Sequence, residues 1–377
     1  MAGYTSESHD REMSLPVQQG EETKQQKNPT IRLFSNAYSL MTVSFFATYV
    51  ISILVAFYLF YLTPDGVTFG SKTFHNLQLD VFFWGGIRIP FSISADQLFL
   101  LVNLAFVLSF ITSFFSNENY VSSLRRLVKK NDLGGISGNF LVIMPVISSA
   151  TLFATSLIQT LEGRVGIEVG GFSFSDPFLE ILSLSYSSFV EEIGFRLVPL
   201  LFPVAIYLLY RSSKAIADMP LGRRLVLVPM ALFKPSSFQR RLNISVGRDL
   251  HALELALLLI SSALFSYAHM LSGSWSAGKL PPVFLGGMVI GYCCLRYGFD
   301  SALLLHWFFN FYWSALSMSS TIGGPFLYLN DLVYFMTLYV CLVSLIAAVP
   351  YLMLKGIRRM RVSSAGTPQR PMPVHEN

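Results

Sequence analysis

The chain has 377 residues, of which 53% are hydrophobic and 13% are charged, and its mean hydropathy is +0.52. A soluble globular domain carries about 25% charged residues, so this composition indicates a membrane protein and excludes an ordinary soluble domain. The net charge of +5 does not indicate a nucleic-acid partner, because the basic residues cluster in the loops between apolar segments.

The chain is predicted to start with a disordered cytoplasmic tail, residues 1–35. Its first part is rich in Gln, Glu, Ser and Lys and lacks the apolar core of a cleavable signal peptide. The first membrane helix is therefore expected to act as an uncleaved signal.

A transmembrane helix needs about 20 mostly apolar residues, and the sequence contains about eight such segments. They predict an all-α, polytopic membrane helix bundle with spans near residues 38–63, 96–115, 139–161, 177–210, 251–272, 282–297, 300–319 and 331–355. The fourth segment is too long for one straight crossing, so Pro199 and Pro203 are expected to kink or split it.

The charges of the loops predict the orientation of the spans. Nineteen Lys and Arg residues fall on one side, whereas the opposite side holds only Lys72, Arg88, Arg164 and Lys279. Eight crossings with both termini cytoplasmic agree with this bias, which predicts a multi-pass integral membrane protein. The long basic loop 211–250 is expected to lie along anionic lipid headgroups.

Two loops on the less basic side each contain a Gly-Gly pair between alternating residues. The stretches "LQLDVFFWGGIRIPFSI" (77–93) and "VGIEVGGFSF" (165–174) both predict a short extracytoplasmic β-hairpin. Each is followed by an aspartate, Asp96 or Asp176, that is expected to cap the next helix.

Ionisable residues are rare inside the predicted spans, where such groups usually face the bundle interior or a water-filled cavity. Those present, with one further amide, are Glu180, Glu191, Glu192, Arg196, Glu254, His269, His306 and Asn310. Glu180 and Glu254 lie near the ends of spans, where a charge needs no further reason. A lone histidine or asparagine in such a helix more often serves as an interhelical hydrogen-bonding group, but the conjunction on three helices favours a functional site.

Helical spacing organises these groups. Glu192 and Arg196 are four residues apart, so they share a face and are predicted to form a structural ion pair. Glu191 is rotated by about 100° from Glu192 and is expected to point elsewhere, without that partner. His306 and Asn310 are also four residues apart and project from one face.

Three motifs carry this set: "EEIGFR" (191–196) fits an EExxxR pattern, "FSYAH" (265–269) fits FxxxH and "HWFFN" (306–310) fits HxxxN. In order and spacing they resemble the CPBP family of intramembrane endopeptidases, which includes the CAAX prenyl proteases and bacteriocin-processing and immunity proteins. The resemblance covers roughly residues 177–319, and Gly298 matches a glycine that usually precedes the family's last motif.

The resemblance implies hydrolysis of a peptide bond near the membrane, for example removal of the last three residues after a prenylated cysteine in a CAAX-type substrate. Glu191 would be the general base that activates water, and His269 would help to hold that water. His306 and Asn310 would support the oxyanion of the tetrahedral intermediate. The expected partners are membrane lipid and a membrane-associated or prenylated protein or peptide.

With the resemblance included, the chain divides into five parts. They are the cytoplasmic tail (1–35), three N-terminal spans (36–176), a CPBP-like catalytic membrane core (177–319), a last transmembrane helix (320–356) and a second cytoplasmic tail (357–377).

The sequence leaves the metal dependence open. Glu191, His269 and His306 could form a His₂Glu zinc site with an open position, so zinc is a candidate cofactor. The HExxH helix signature is absent, and a metal-free, glutamate-activated water fits the same residues and is the alternative we favour.

The depths of the two histidines disagree on simple counting. At 1.5 Å per residue, His269 is about 27 Å from the start of its predicted helix and His306 only about 10 Å. One shared site requires similar depths, so either helices five and six are short and tilted or the connection 272–281 is re-entrant.

Two other functions use the same residues. A proton-coupled transporter would use the buried Glu and His in a proton relay, although the polar set is not repeated between the two halves of the chain. A non-catalytic immunity or partner protein would keep the motifs for structure alone.

Overall fold

A computed structural model describes residues 29–82, 85–116, 118–130, 132–171, 174–244, 248–322, 327–340 and 342. The predicted C-terminal tail, most of the predicted N-terminal tail and the second half of the last predicted span lie outside these residues. Residues 29–35, predicted as the end of the disordered tail, instead form the start of the first helix.

The described part of the chain is a helical bundle with one two-stranded sheet. Its elements are α1 (Pro29–Leu62), α2 (Pro64–Gly70), β1 (Thr73–Phe82), β2 (Gly85–Ser94), α3 (Ala95–Phe114), α4 (Tyr120–Lys130), a 3₁₀ turn (Leu133–Ser137), α5 (Phe140–Arg164), α6 (Pro177–Glu192), a π-helical segment (Ile193–Leu201), α7 (Phe202–Arg211), α8 (Ser213–Ala217), α9 (Leu221–Phe233), α10 (Pro235–Arg241), α11 (Arg248–Leu271), a 3₁₀ turn (Ala277–Lys279), α12 (Leu280–Tyr297), α13 (Phe299–Trp307), a second π-helical segment (Phe308–Tyr312) and α14 (Trp313–Ile322). Residues 329–340 are also helical.

Six helices of the described residues are long and apolar enough to cross a membrane, which is the pattern of an integral membrane protein. They are Arg32–Leu62, Ala95–Phe114, Phe140–Arg164, Pro177–Arg211, Asp249–Leu271 and Ala277–Tyr297. The predicted seventh span is a continuous helical run over 299–322, but its polar His306 and Asn310 keep it out of this set. The count of eight spans therefore stays a prediction.

The outer surface of the bundle is apolar. Leu40 and Leu54 on α1 are 70% and 63% exposed, and Leu101 on α3 is 55% exposed. A soluble monomer rarely exposes large contiguous apolar patches, so these faces suit contact with lipid. Apolar residues on both the buried and the exposed sides of a helix are what a membrane span requires.

The helix α13 forms the centre of the bundle, and all of its residues from Phe299 to Trp307 are buried. The Trp307 ring stacks on Phe311 with centroids 4.8 Å apart, and Tyr49 of α1 lies 5.1 Å from the same indole. Large aromatic side chains thus fix α13 against α1 and α3, and this packing fixes the position of the polar groups that it carries.

The first predicted hairpin is present. Strands β1 and β2 pair antiparallel, with Thr73 opposite Ser94 and Phe82 opposite Gly85. The glycine pair lies in β2 rather than in the turn, since β2 starts at Gly85. Tyr186 of α6 donates a 2.5 Å hydrogen bond to the Gln78 carbonyl oxygen, which ties the hairpin to the bundle.

The second predicted hairpin is wrong in the part that the structure describes. Gly170 forms an isolated bridge with Trp275, more than 100 residues later, and Ser276 N donates to the Val169 carbonyl oxygen at 3.0 Å. The alternation around Gly170 therefore serves a contact between two loops, which local sequence cannot specify.

One of the two predicted aspartate caps is present. Asp176 caps α6, since its Oδ1 accepts from Phe178 N at 2.9 Å. The residue that precedes α3 is Ser94, and Asp96 lies in the first turn of that helix instead.

The basic loop 211–250 folds into the short helices α8, α9 and α10. On α9, Leu225 and Val226 are 66% and 52% exposed and follow Arg223 and Arg224 directly. This mixture of exposed apolar and basic residues is typical of a helix at the membrane interface.

Candidate active site

The glutamates of the first motif lie at the end of α6, where the helix widens into the π-helical segment Ile193–Leu201. Pro199 and Pro203 do not split this segment, because the helical run continues from Pro177 to Arg211, and the kink expected at these residues stays a prediction. Proline has no N–H, and the wider π turn accommodates this loss. Ser261 of α11 donates its hydroxyl to the Phe195 carbonyl oxygen inside this segment.

His306 of α13 is the centre of the polar cluster. Its Nδ1 lies 2.7 Å from Glu192 Oε1, and its Nε2 lies 3.1 Å from Asn310 Nδ2. The same Nε2 is 3.6 Å from Glu191 Oε2, which is an ion-pair distance but too long for a hydrogen bond. Both glutamates therefore reach one imidazole ring, from its two opposite nitrogens.

These contacts assign the protons of neutral His306. A carboxylate only accepts hydrogen bonds, so Nδ1 carries the hydrogen that is donated to Glu192. The amide Nδ2 of Asn310 donates to the lone pair of His306 Nε2. Asn310 Nδ2 also reaches Ser187 Oγ of α6 at 3.3 Å.

Arg196 and Glu192 lie together in the core, with Nε of the arginine 3.6 Å from Oε2 of the glutamate and both side chains fully buried. The guanidinium group stacks over the Phe265 ring at 4.1 Å. No hydrogen-bond partner for its nitrogens is found among the described residues. The predicted pair is thus in contact, but Glu192 divides its two oxygens between Arg196 and His306.

His269 joins the cluster through Phe265 rather than by direct contact. The Phe265 ring lies 4.8 Å from the His269 ring and 5.7 Å from the His306 ring, measured between centroids. His269 Nδ1 lies 2.9 Å from the Phe265 carbonyl oxygen, so Nδ1 carries a hydrogen and Nε2 of the neutral ring keeps its lone pair.

The different lengths of α11 and α12 account for about half of the disagreement in depth. The helix α11 has 24 residues and α12 has 18, so α13 starts about 9 Å deeper than simple counting places it. Gly287 permits the close packing of these two helices, since a Cβ there would lie 3.2 Å from Ser262 Cβ. The helix α10 packs against the C-terminal end of α12, where Ser236 Oγ donates to the Leu295 carbonyl oxygen at 2.8 Å.

A cavity of about 240 Å³ opens beside the cluster. Both histidines and Asn310 line it, together with Thr151, Leu152, Thr155, Ser156, Gln159, Phe265, Lys279, Pro282, Val283, Gly286, Ile290 and Phe309. Glu191 stands at the edge of the cluster with 22% of its side chain exposed, and its Oε2 has no hydrogen-bond partner among the described residues. The cavity has room for several water molecules beside the two histidines, and Glu191 reaches this lining through its 3.6 Å contact with His306.

The sequence motifs did not include Ser187, Lys279 or the four polar residues of α5 that line the cavity, Thr151, Thr155, Ser156 and Gln159. Ser187 binds Asn310, and Lys279 lines the cavity with its ammonium group 3.7 Å from the Trp275 ring. Lys279 also lies close enough to Glu191 for their charges to interact. The signal for Lys279 was its position as one of only four basic residues on its side of the chain.

The metal candidates do not form a ligand set in the part of the chain that the structure describes. No group of three His, Cys, Asp or Glu side chains there has the spacing of a metal site. Glu191 and His306 approach each other, but the lone pair of His306 Nε2 already accepts from Asn310. The arrangement therefore does not fit a His₂Glu zinc centre.

Comparison of the chain with family models, curated proteins and solved structures gives no match. The resemblance described above therefore rests on the residues of the three motifs.

Proposed function

We propose that this chain is an intramembrane endopeptidase in which Glu191 activates a water molecule. The observation that carries the proposal is the environment of Glu191, whose Oε2 has no hydrogen-bond partner among the described residues and faces His306, a residue that lines a cavity within the helical bundle. Buried polar groups in folded proteins are normally hydrogen-bonded, so an unpartnered carboxylate oxygen at a cavity indicates a place for a ligand.

In the proposed reaction, Glu191 accepts one proton from the water, and His269 Nε2 accepts a hydrogen bond from the hydrogen that stays on the oxygen. The oxygen is then free to attack the carbonyl carbon of a peptide bond in the cavity. A positioned general base of this kind contributes about 10²–10⁴ in rate. The proton held by Glu191 is delivered to the nitrogen of the leaving amine as the carbon–nitrogen bond breaks.

Asn310 is the proposed oxyanion donor. Neutral His306 has no free N–H for this purpose, because Nδ1–H is donated to Glu192 and Nε2 accepts from Asn310. The Asn310–Ser187 contact of 3.3 Å is long, so the second amide hydrogen can turn to the oxyanion. His306 and Glu192 are then positioning residues that hold the Asn310 amide.

The walls of the cavity suggest the class of substrate. Leu152, Val283 and Phe309 are apolar, whereas Lys279 supplies a cation at one end. A peptide that carries a lipid chain and a free carboxylate matches both features, as does a CAAX-type prenylated C-terminus. Such a substrate would come from the membrane rather than from solution.

The test is cleavage of prenylated and unprenylated peptides by the purified full-length protein in liposomes. Glu191→Ala is expected to lose activity by about 10²–10⁴-fold while the protein still inserts and keeps its Tm. Glu180→Ala is the matched control, because this carboxylate of α6 contacts Ser314, whereas Glu191 faces His306. Equal rates for wild type and Glu191→Ala would refute the proposal.

Two further measurements separate the alternatives. Cleavage that survives a chelator supports the metal-free mechanism, whereas a loss that zinc restores would place a metal in the reaction. Proton flux into liposomes that depends on Glu191, without any cleavage, would identify a carrier instead. Normal biological function of Glu191→Ala would identify a non-catalytic membrane partner.

A further inference from the structure

A second, larger cavity lies at the other end of α12, away from the candidate active site. It measures about 470 Å³ and is lined by Glu118, Arg126, Gly134, Ser137, Gly138, Arg240, Arg296 and Tyr297. Arg296 comes from the last turn of α12, Arg240 from the last turn of α10 and Arg126 from α4. Three arginines from three helices therefore converge on one space.

Only one of these arginines is neutralised by carboxylates. Arg126 NH1 lies 2.6 Å from Glu118 Oε2, and its Nε lies 2.8 Å from Asp132 Oδ2. Within the described ranges, neither Arg240 nor Arg296 has a carboxylate within 4.0 Å. Both side chains are exposed and thus accessible.

The charges of Arg240 and Arg296 interact. Arg240 NH2 donates to Ser237 Oγ at 3.3 Å, and the Arg296 guanidinium lies 5.9 Å from the Tyr297 ring centroid. Partial burial of the otherwise exposed Arg240, and after it the charge of Arg296, lowers the pKa of the Arg240 guanidinium below its usual value. Two like charges at one cavity repel each other unless an anion lies between them.

We propose that this cavity binds a phosphate-bearing anion, held between Arg240 and Arg296. A guanidinium group presents parallel N–H donors that match a phosphate bidentately, which makes arginine the usual residue for this purpose. The cavity lies where the candidate span Ala277–Tyr297 ends. The helix α10, which supplies Arg240, packs against α9, whose exposed Leu225 and Val226 suit the interface. A phospholipid headgroup is thus one source of the phosphate, and a soluble phosphate compound is the other.

The experiment measures lipid binding to the full-length protein in detergent by native mass spectrometry. The probes are phosphatidylglycerol and phosphatidylcholine, with inorganic phosphate as the soluble competitor. Arg240→Gln and Arg296→Gln are each expected to weaken binding of phosphatidylglycerol about fivefold, because a basic residue near an anionic surface contributes about 1 kcal/mol. The corresponding lysine variants are expected to retain part of the affinity.

Arg125→Gln is the matched control, since Arg125 is exposed on α4 but does not line the cavity. Selective loss in the Arg240 and Arg296 variants supports the site, and competition by inorganic phosphate identifies a soluble ligand for it. Equal weakening by Arg125→Gln, or equal binding of all variants, would overturn the proposal. Unchanged Tm values without added lipid show that each variant is folded.

Discussion

The helix α13 carries two buried polar clusters that differ in how fully their groups are satisfied. At its start, Asp300 Oδ2 accepts from Ser113 Oγ at 2.6 Å, from Lys234 Nζ at 3.2 Å and from Thr112 Oγ1 at 3.4 Å. Two turns later, His306 is held by Glu192 and Asn310 beside a carboxylate oxygen of Glu191 that has no partner in the described residues.

The difference separates a structural cluster from a candidate catalytic one. Asp300 Oδ1 also has no hydrogen-bond partner among the described residues. Its Oδ2, however, binds Thr112 and Ser113 of α3 and Lys234, which lies between α9 and α10. Neither of the two cavities described above is lined by Asp300, Lys234 or Ser113. His306 and Asn310 instead line a cavity, and the Glu191 carboxylate faces that histidine.

The largest expected effect tests this contrast on the same helix. His306→Ala is expected to lower kcat by about 10²–10⁴-fold, because the amide of Asn310 and the carboxylate of Glu192 lose their common partner. Asp300→Ala is expected to keep kcat per folded molecule and to lower stability by about 1.5–3 kcal/mol, the usual worth of a hydrogen bond to a charged group. The measurements are peptide cleavage rates and denaturation midpoints in the same detergent.

The opposite pattern would break the comparison. If Asp300→Ala lost kcat as strongly as His306→Ala, both clusters would belong to one functional unit. Ser317→Ala serves as the control for a polar change in the same helical run, because Ser317 is exposed and does not line the cavity.

The next effect concerns the buried ion pair. Glu192→Gln is expected to destabilise the protein by about 3–5 kcal/mol, because it leaves the charge of fully buried Arg196 without compensation. The double variant Glu192→Gln, Arg196→Met is expected to regain most of this loss, since no unpaired charge remains. Chemical denaturation of both variants measures the difference, and a single variant as stable as wild type would show that the 3.6 Å pair carries no net charge interaction.

The sequence predicted the class of fold from the length of the apolar segments, but not every local element. Hydropathy locates spans because lipid demands it, and six of the predicted spans are among the long apolar helices. The loop around Gly170 was predicted wrongly, because its pairing partner is Trp275, which is distant in sequence. The helical run 299–322 was predicted as a span over 300–319, but its aromatic packing at the bundle centre is not visible in the composition.

Helical angle predicted part of the candidate site and failed for the rest. It paired His306 with Asn310 and Glu192 with Arg196, and the structure places these groups 3.1 Å and 3.6 Å apart. Helical angle on α6 separated Glu191 from Arg196 but could not show that Glu191 faces His306, because it does not determine where α13 crosses α6. An imidazole has nitrogens on opposite sides, so one ring on α13 reaches two neighbouring glutamates that point in different directions.

The third prediction tests whether the Asn310 amide is the oxyanion donor. Asn310→Ala is expected to lower kcat by about 10²–10³-fold with little change in KM, because an oxyanion donor acts mainly in the transition state. Asn310→Gln keeps the amide but moves it by one methylene, so it is expected to recover only a small part of the rate. Steady-state kinetics distinguish this role, since a KM effect alone would assign Asn310 to substrate binding instead.

The smallest effect is expected at Gly298, in the turn from which α13 starts, two residues before Asp300. Gly298 has φ +118°, a conformation that side chains rarely adopt, and a Cβ there would lie 2.8 Å from the Phe233 carbonyl oxygen. Gly298→Ala is expected to cost about 1–3 kcal/mol of stability through this backbone strain.

The same Cβ would lie 2.7 Å from Asp300 Oδ1, so the Asp300 cluster should be disturbed first. His306 lies two turns further along and is held by α6, so kcat per folded molecule should remain close to that of wild type. A loss of kcat as large as that of His306→Ala would mean that the Asp300 cluster sets the height of α13 in the bundle, and with it the distance between His306 and the two glutamates.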